Sequence, residues 1–147
     1  AARPAGTPAN TQASAPKAAL AVGEQGDFDR AREVLGQGDI RTAADHFATF
    51  AETYPGGPLT GEAHFYRGEA LTGLNQPIEA ARAYLQSYSG WPSGPVAPQA
   101  LAKLGATLAR VGQTREACTT LAQVAVRYPD SPAVTEAQAT MASLSCQ

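Results

Sequence analysis

Pro55, Pro92 and Pro129 stand 37 residues apart, and each follows an aromatic residue: Tyr54, Trp91 and Tyr128. A second proline comes three residues later each time, at Pro58, Pro95 and Pro132. Ala43, Ala80 and Ala117 keep the same phase, and so do Phe47, Tyr84 and Leu121 four residues beyond them. Ala31, Gly68 and Gly105 form another such set, as do Gly38, Asn75 and Gly112. A period of roughly 20–50 residues marks a solenoid, whose units bury their apolar faces only against neighbours. Such a chain is expected to be a rigid docking surface, not a catalyst.

Within one period the pattern reads as two helices. Ala63, Tyr66, Arg67, Ala70, Leu71 and Leu74 recur at i, i+3, i+4, i+7 spacing. Asn75 then takes the place of Gly38 and Gly112, and Gly and Asn are the residues that end a helix in the left-handed conformation. Pro77 suits the first turn of the next helix, which carries Ile78, Ala81, Tyr84, Leu85 and Tyr88 and stops before Pro92. Leu101, Leu104, Leu108, Val111, Ala117, Leu121, Val124 and Val126 repeat this layout one unit on. Helices are expected at about 24–36, 39–54, 60–73, 77–89, 97–111 and 114–128, with ends good to about 2–4 residues. Small residues at Gly68, Gly105, Ala80 and Ala117 allow the paired helices to approach closely. A last helix at about 133–145, with Ser131 as N-cap and Pro132 in its first turn, would cover the open end that a solenoid must cap.

Residues 1–22 are rich in Ala, Pro, Thr, Ser and Gly and show no apolar period, so a flexible tether is expected there, with the folded domain over 23–147. The units then run over about 24–58, 59–95 and 96–132, with a cap over about 133–146. The chain starts with Ala and shows no signal peptide, which is what a processed form or a fragment would show. A net charge of −2 and a charged fraction of 16% argue against nucleic acid or anionic lipid as the main partner. No apolar run reaches the roughly 18 residues needed to span a bilayer.

The small, small, large-aromatic and proline landmarks at Gly68, Ala80, Tyr84 and Pro92 resemble the tetratricopeptide repeat, usually about 34 residues long. The extra residues fall in the joints Pro55–Pro58, Pro92–Pro95 and Pro129–Pro132. The resemblance implies an all-α fold: a right-handed solenoid of three helix pairs plus a C-terminal cap. Unit one departs from the pattern, with Ala31 for the glycine and Asp27, like His64 in unit two, at a bulky position. The joint Tyr128-Pro129-Asp130-Ser131-Pro132, the stretch Gly61–Ala70, Lys103-Leu104-Gly105 and Arg115-Glu116-Ala117-Cys118 resemble the C-terminal domain of the Tol-Pal accessory proteins YbgF/CpoB. That likeness covers residues 25–146 or so. It implies a periplasmic, non-catalytic scaffold that binds TolA and coordinates outer-membrane constriction with septal peptidoglycan synthesis, a link to the synthase machinery included. In that family a trimerising coiled coil precedes the linker, so self-association through such a segment is implied as well. The alternative is another envelope repeat scaffold, of the BamD type that helps assemble outer-membrane barrels.

Cys118 and Cys146 are either one disulfide or two thiols, the former in an oxidising compartment. Cys118 opens the second helix of unit three, and a cap parallel to the first helix ends near that point, which favours the bond. The first helix of each unit would line the concave face. Its free residues there are expected to be Phe28, Arg32 and Leu35, then Phe65, Glu69 and Thr72, then Ala102, Ala106 and Arg110. Phe28 and Phe65, one period apart, would form a row of rings to anchor an apolar partner face, unless both pack between helices.

Other chemistry finds little support. His46 and His64 have no Cys or His at zinc spacing, and no acidic loop fits calcium. The glycines do not make a phosphate loop, so no cofactor is expected. Glu52, Glu62 and Glu69 show no pairing of the kind acid–base catalysis needs, and Trp91 occupies a repeat landmark instead of a sugar-stacking platform.

Overall fold

The computed structural model describes residues 22–147, so the tether expected over 1–22 lies almost wholly outside the described residues. Seven helices follow in the expected order: α1 (Glu24–Gly36), α2 (Ile40–Thr53), α3 (Thr60–Gly73), α4 (Pro77–Gly90), α5 (Ala97–Arg110), α6 (Thr114–Arg127) and α7 (Ala133–Ser143). The described residues contain no strand. Each end lies within two residues of its expected place, because capping residues recur with the period.

The pair-internal turns show the mechanism. Gly38 and Gly112 have φ of 88° and Asn75 of 60°, the left-handed region that Gly and Asn enter at least cost. The N–H groups of Asp39, Gln76 and Gln113 reach back to the carbonyls of Val34, Leu71 and Leu108 at 3.2, 2.9 and 2.9 Å, closing the same motif three times. Ser145, with φ of 58°, repeats it after α7, and Cys146 N–H donates to Met141. α7 starts at Ala133 as expected, but Pro132, not Ser131, holds the N-cap position; Ser131 Oγ still accepts from Ala133 N–H at 3.1 Å.

Packing is strictly between neighbours. Gly68 lies so close to Tyr84 that a Cβ would stand 2.7 Å from the ring, and at Gly105 a Cβ would stand 2.6 Å from Leu121. Unit one sets Ala31, fully buried, at this position, and its pair closes around Phe28, Phe47 and Phe50. Three apolar clusters result: one around Phe28, Phe47 and Phe50, one around Phe65, Leu71 and Tyr84, and one around Leu101, Leu121 and Val124 that α7 closes with Ala133 and Ala137.

Residues in and beside the proline joints tie helices together, both within a unit and from one unit to the next. Tyr54 OH donates to Asp27 at 2.7 Å, and Tyr128 OH donates to the carbonyl of Pro92 at 2.6 Å. Trp91 instead packs close against Gly61, where a Cβ would come within 2.7 Å of its ring. Ser87, fully buried, donates to Gly61 O at 2.7 Å. Glu24 is buried as well, at the register position of Gly61, and accepts from Leu59 N–H at 3.3 Å, tying α1 to the first joint. The period gives no hint of a carboxylate there.

Cys118 and Cys146 are bonded, with Cα atoms 5.6 Å apart. The bond joins the N-terminal part of α6 to the residues just past α7, as the parallel placement of the cap requires.

Candidate partner-binding groove

The wall formed by the first helices is built differently from the row of rings expected there. Phe28 is only 3% exposed and Phe65 only 6%, so both rings pack between helices instead of standing open in the groove. Phe28 sits edge-on to Phe47, Phe50 and Tyr66 at centroid distances of 6.1, 5.7 and 6.0 Å. Phe65 contacts Tyr66 and Tyr84 at 5.4 and 5.8 Å. Ala102 is buried too. The reason is lateral: α1 packs against α2 and meets Tyr66 of α3, while α3 and α5 each lie between their own second helix and the second helix of the preceding unit, so the free face is narrower than the stripe suggests. Leu35 is half-buried between two clusters.

What remains open is polar. Arg32 is exposed and lies over the Tyr66 ring, 4.7 Å from guanidinium carbon to centroid. Glu69 is half-buried and accepts a short hydrogen bond from Tyr84 OH, while Thr72 Oγ1 lies 3.2 Å from the same phenol and donates to Gly68 O at 2.9 Å. Burial, then the bond to Glu69, pushes the Tyr84 phenol far above its ordinary range, so it stays a donor and fixes the carboxylate. Lys103 Nζ stands 4.0 Å from Glu69 and 3.9 Å from Glu136, a cation between two carboxylates across α3, α5 and α7. Such exposed pairs add about 0–1 kcal/mol at most. Their consequence is the charge layout, a row of alternating sign along the wall.

Arg110 bonds Asn75 Oδ1 and is exposed, but it stands one residue off the row. The period places Ala109 in register with Leu35 and Thr72. Ala106, half-buried, does hold the place of Arg32 and Glu69. Sequence reasoning missed Lys103 and Glu136 and took Tyr66 as core alone. Tyr66 and Lys103 share one register position, which is the signal that was available.

On the other side of α3, His64 lies 5.7 Å from the Trp91 ring, and burial followed by the Arg67 charge holds its pKa below the ordinary 6.5. The unfolded chain therefore takes up this proton first as the pH falls. The stability tied to neutral His64 is full above about 6.5 and declines below it. Urea denaturation at pH 7.5 and 5.5 should show a larger loss for the natural chain than for His64→Gln. Equal losses would mean that the imidazole is free to charge in the fold.

Among the described residues, no group of three or more His, Cys, Asp or Glu is placed to hold a metal, and no helix is long and apolar enough to cross a membrane.

Residues 28–98 match one tetratricopeptide-repeat family model and residues 99–131 match another. The chain belongs to the tetratricopeptide-repeat family. Its fold is similar to that of the first such domain of Spaghetti (RPAP3) bound to an HSP90 peptide, SRMEEVD. The TM-score is 0.69 at 16% identity, over 87% of this chain and 98% of that one. No curated protein matches it. Tetratricopeptide repeats are protein-interaction modules, in general not catalytic, and this chain is accordingly a protein-interaction scaffold.

Proposed function

We propose that this scaffold is a periplasmic accessory protein of the Tol-Pal envelope machine. It binds TolA along the first-helix wall and coordinates outer-membrane constriction with septal peptidoglycan synthesis in cell division. The observation that carries this reading is the proline-bounded joint, Tyr128-Pro129-Asp130-Ser131-Pro132 in its fullest form, with the chain's surplus residues placed in it. Two observations lend support. A disulfide between Cys118 and Cys146 suits an oxidising compartment. A similar fold has been seen with a peptide bound, so a segment of another protein is an apt occupant for the wall. The partner segment would set an acidic group against Arg32 and charges of opposite sign along Glu69, Lys103 and Glu136.

The immobilised chain, exposed to periplasmic extract of a Gram-negative bacterium, should retain TolA. Retention of outer-membrane barrel-assembly components in its place would overturn the assignment in favour of a BamD-type scaffold.

A further inference from the structure

The opposite side of the solenoid carries one trough twice, once per unit step, with contrasting chemistry. Between α2, α3 and the start of α4, the first copy is lined by Arg41, Ala44, Asp45, Ala48, Arg67 and Leu71 among others. Moving each position on by the 37-residue period gives Ile78, Ala81, Arg82, Leu85, Leu104 and Leu108, the lining of the second copy between α4 and α5. Arg41, Ala48 and Arg67 are thus replaced by Ile78, Leu85 and Leu104. The side is separate from the groove: Arg67 and Glu69 are two residues apart on one helix, about 200° around its axis.

Two features mark these troughs as incomplete. Ile78 and Leu85 are 60% and 48% exposed, two of only four large apolar residues so open among the described residues. They stand a full two turns apart on one ridge, facing a second ridge of Leu104, Leu108 and Val111. In the first copy, Arg67 is half-buried where the next unit has Leu104, and no carboxylate lies within ion-pair distance of it among the described residues. Its Nε and His64 Nδ1 are the two buried polar side-chain atoms without a hydrogen-bond partner there. A half-buried cation left in that state costs stability that an incoming acceptor would recover.

We propose that this outer face is a second docking site, for a protein segment that presents a carboxylate to Arg67 and apolar side chains, one repeat step away, to the Ile78–Leu85 trough. The charge of Arg67 selects the acid, and the ridge spacing suits the i, i+3, i+4, i+7 row of a helix. Asp45, Glu52 and Glu79 border the same face, and Glu79 is engaged by Arg82 at 3.2 Å. A segment with a single acid flanked by apolar or basic residues is therefore favoured over a run of acids. The site stands whether or not TolA occupies the inner wall.

The probe is a phage library of random 16-residue peptides selected on the whole chain. Enriched peptides are expected to pair Asp or Glu with an apolar cluster. Their affinity should fall roughly tenfold or more on Ile78→Ser/Leu85→Ser. On Arg67→Leu, which imports the residue of the next unit, binding should weaken and the acid should no longer be selected. Arg32→Ala/Lys103→Glu, on the inner wall, should leave the affinity unchanged. Ile78 and Leu85 are exposed, so unchanged circular dichroism is expected and would confirm that folding is not at issue. Peptides that bind the Ile78→Ser/Leu85→Ser protein as well as the natural one, or that carry no acid, or a selection that enriches nothing, would overturn the proposal.

Discussion

Replacing Tyr84 with alanine is expected to remove about 3–5 kcal/mol of stability, read as a fall in the urea midpoint with little change in slope. Its ring is 1% exposed and fills the space above Gly68, joining the pair α3–α4 to the cluster that reaches α5. Domains of this size are stable by only about 5–15 kcal/mol, so such a loss removes a large share. Tyr84→Phe keeps the ring and loses the bond to Glu69, and should cost about 1 kcal/mol. Gly68→Ala sets a methyl group against the ring and should also destabilise, yet far less once Tyr84 is alanine. The two effects should therefore be clearly non-additive. Additive effects, or a Tyr84→Ala protein as stable as Tyr84→Phe, would mean that this contact does not hold the pair together.

Reduction of the Cys118–Cys146 bond should cost roughly 3–4 kcal/mol in the chain-entropy model, the closed loop spanning a sequence separation of 28. The loss should be local. α7 packs mainly through Ala133 and Ala137 with partly buried Met141 and Leu144, a thin apolar contact for a helix of 11 residues. Repeat proteins add their stability unit by unit, so hydrogen exchange of the reduced chain should quicken in α7 and the end of α5 while α2–α4 keep their protection. Cys118→Ser/Cys146→Ser should behave like the reduced protein. Unchanged exchange in α7 after reduction would show that packing alone holds the cap.

Much of this fold could be read before any coordinates, because the chain repeats its own instructions. The left-handed turns at Gly38, Asn75 and Gly112, the close pairs Gly68–Tyr84 and Gly105–Leu121, and the joints each recur in one register, so each supports the others. Following that register past Pro132 gave the cap and the neighbourhood of the two cysteines. The groove was harder to read, for a physical reason. A period tells which residues share an environment, and it does not say whether that environment is buried. Phe28 and Phe65 do share one, but it lies beneath Tyr66 and Tyr84. The charged row Glu69–Lys103–Glu136 draws on three helices and three register positions, and no single-helix stripe predicts it. Glu24, buried against the first joint, breaks the period outright.

The measurement closest to the central claim is calorimetric titration of the purified chain with the purified periplasmic part of TolA. Saturable binding is expected, roughly tenfold or more weaker for Arg32→Ala/Lys103→Glu, which strips the cation over Tyr66 and turns the inner row wholly acidic. Ile78→Ser/Leu85→Ser should bind TolA like the natural chain. No binding at all, or binding that survives the inner-wall changes undiminished, would contradict the assignment of that wall as the TolA-docking face.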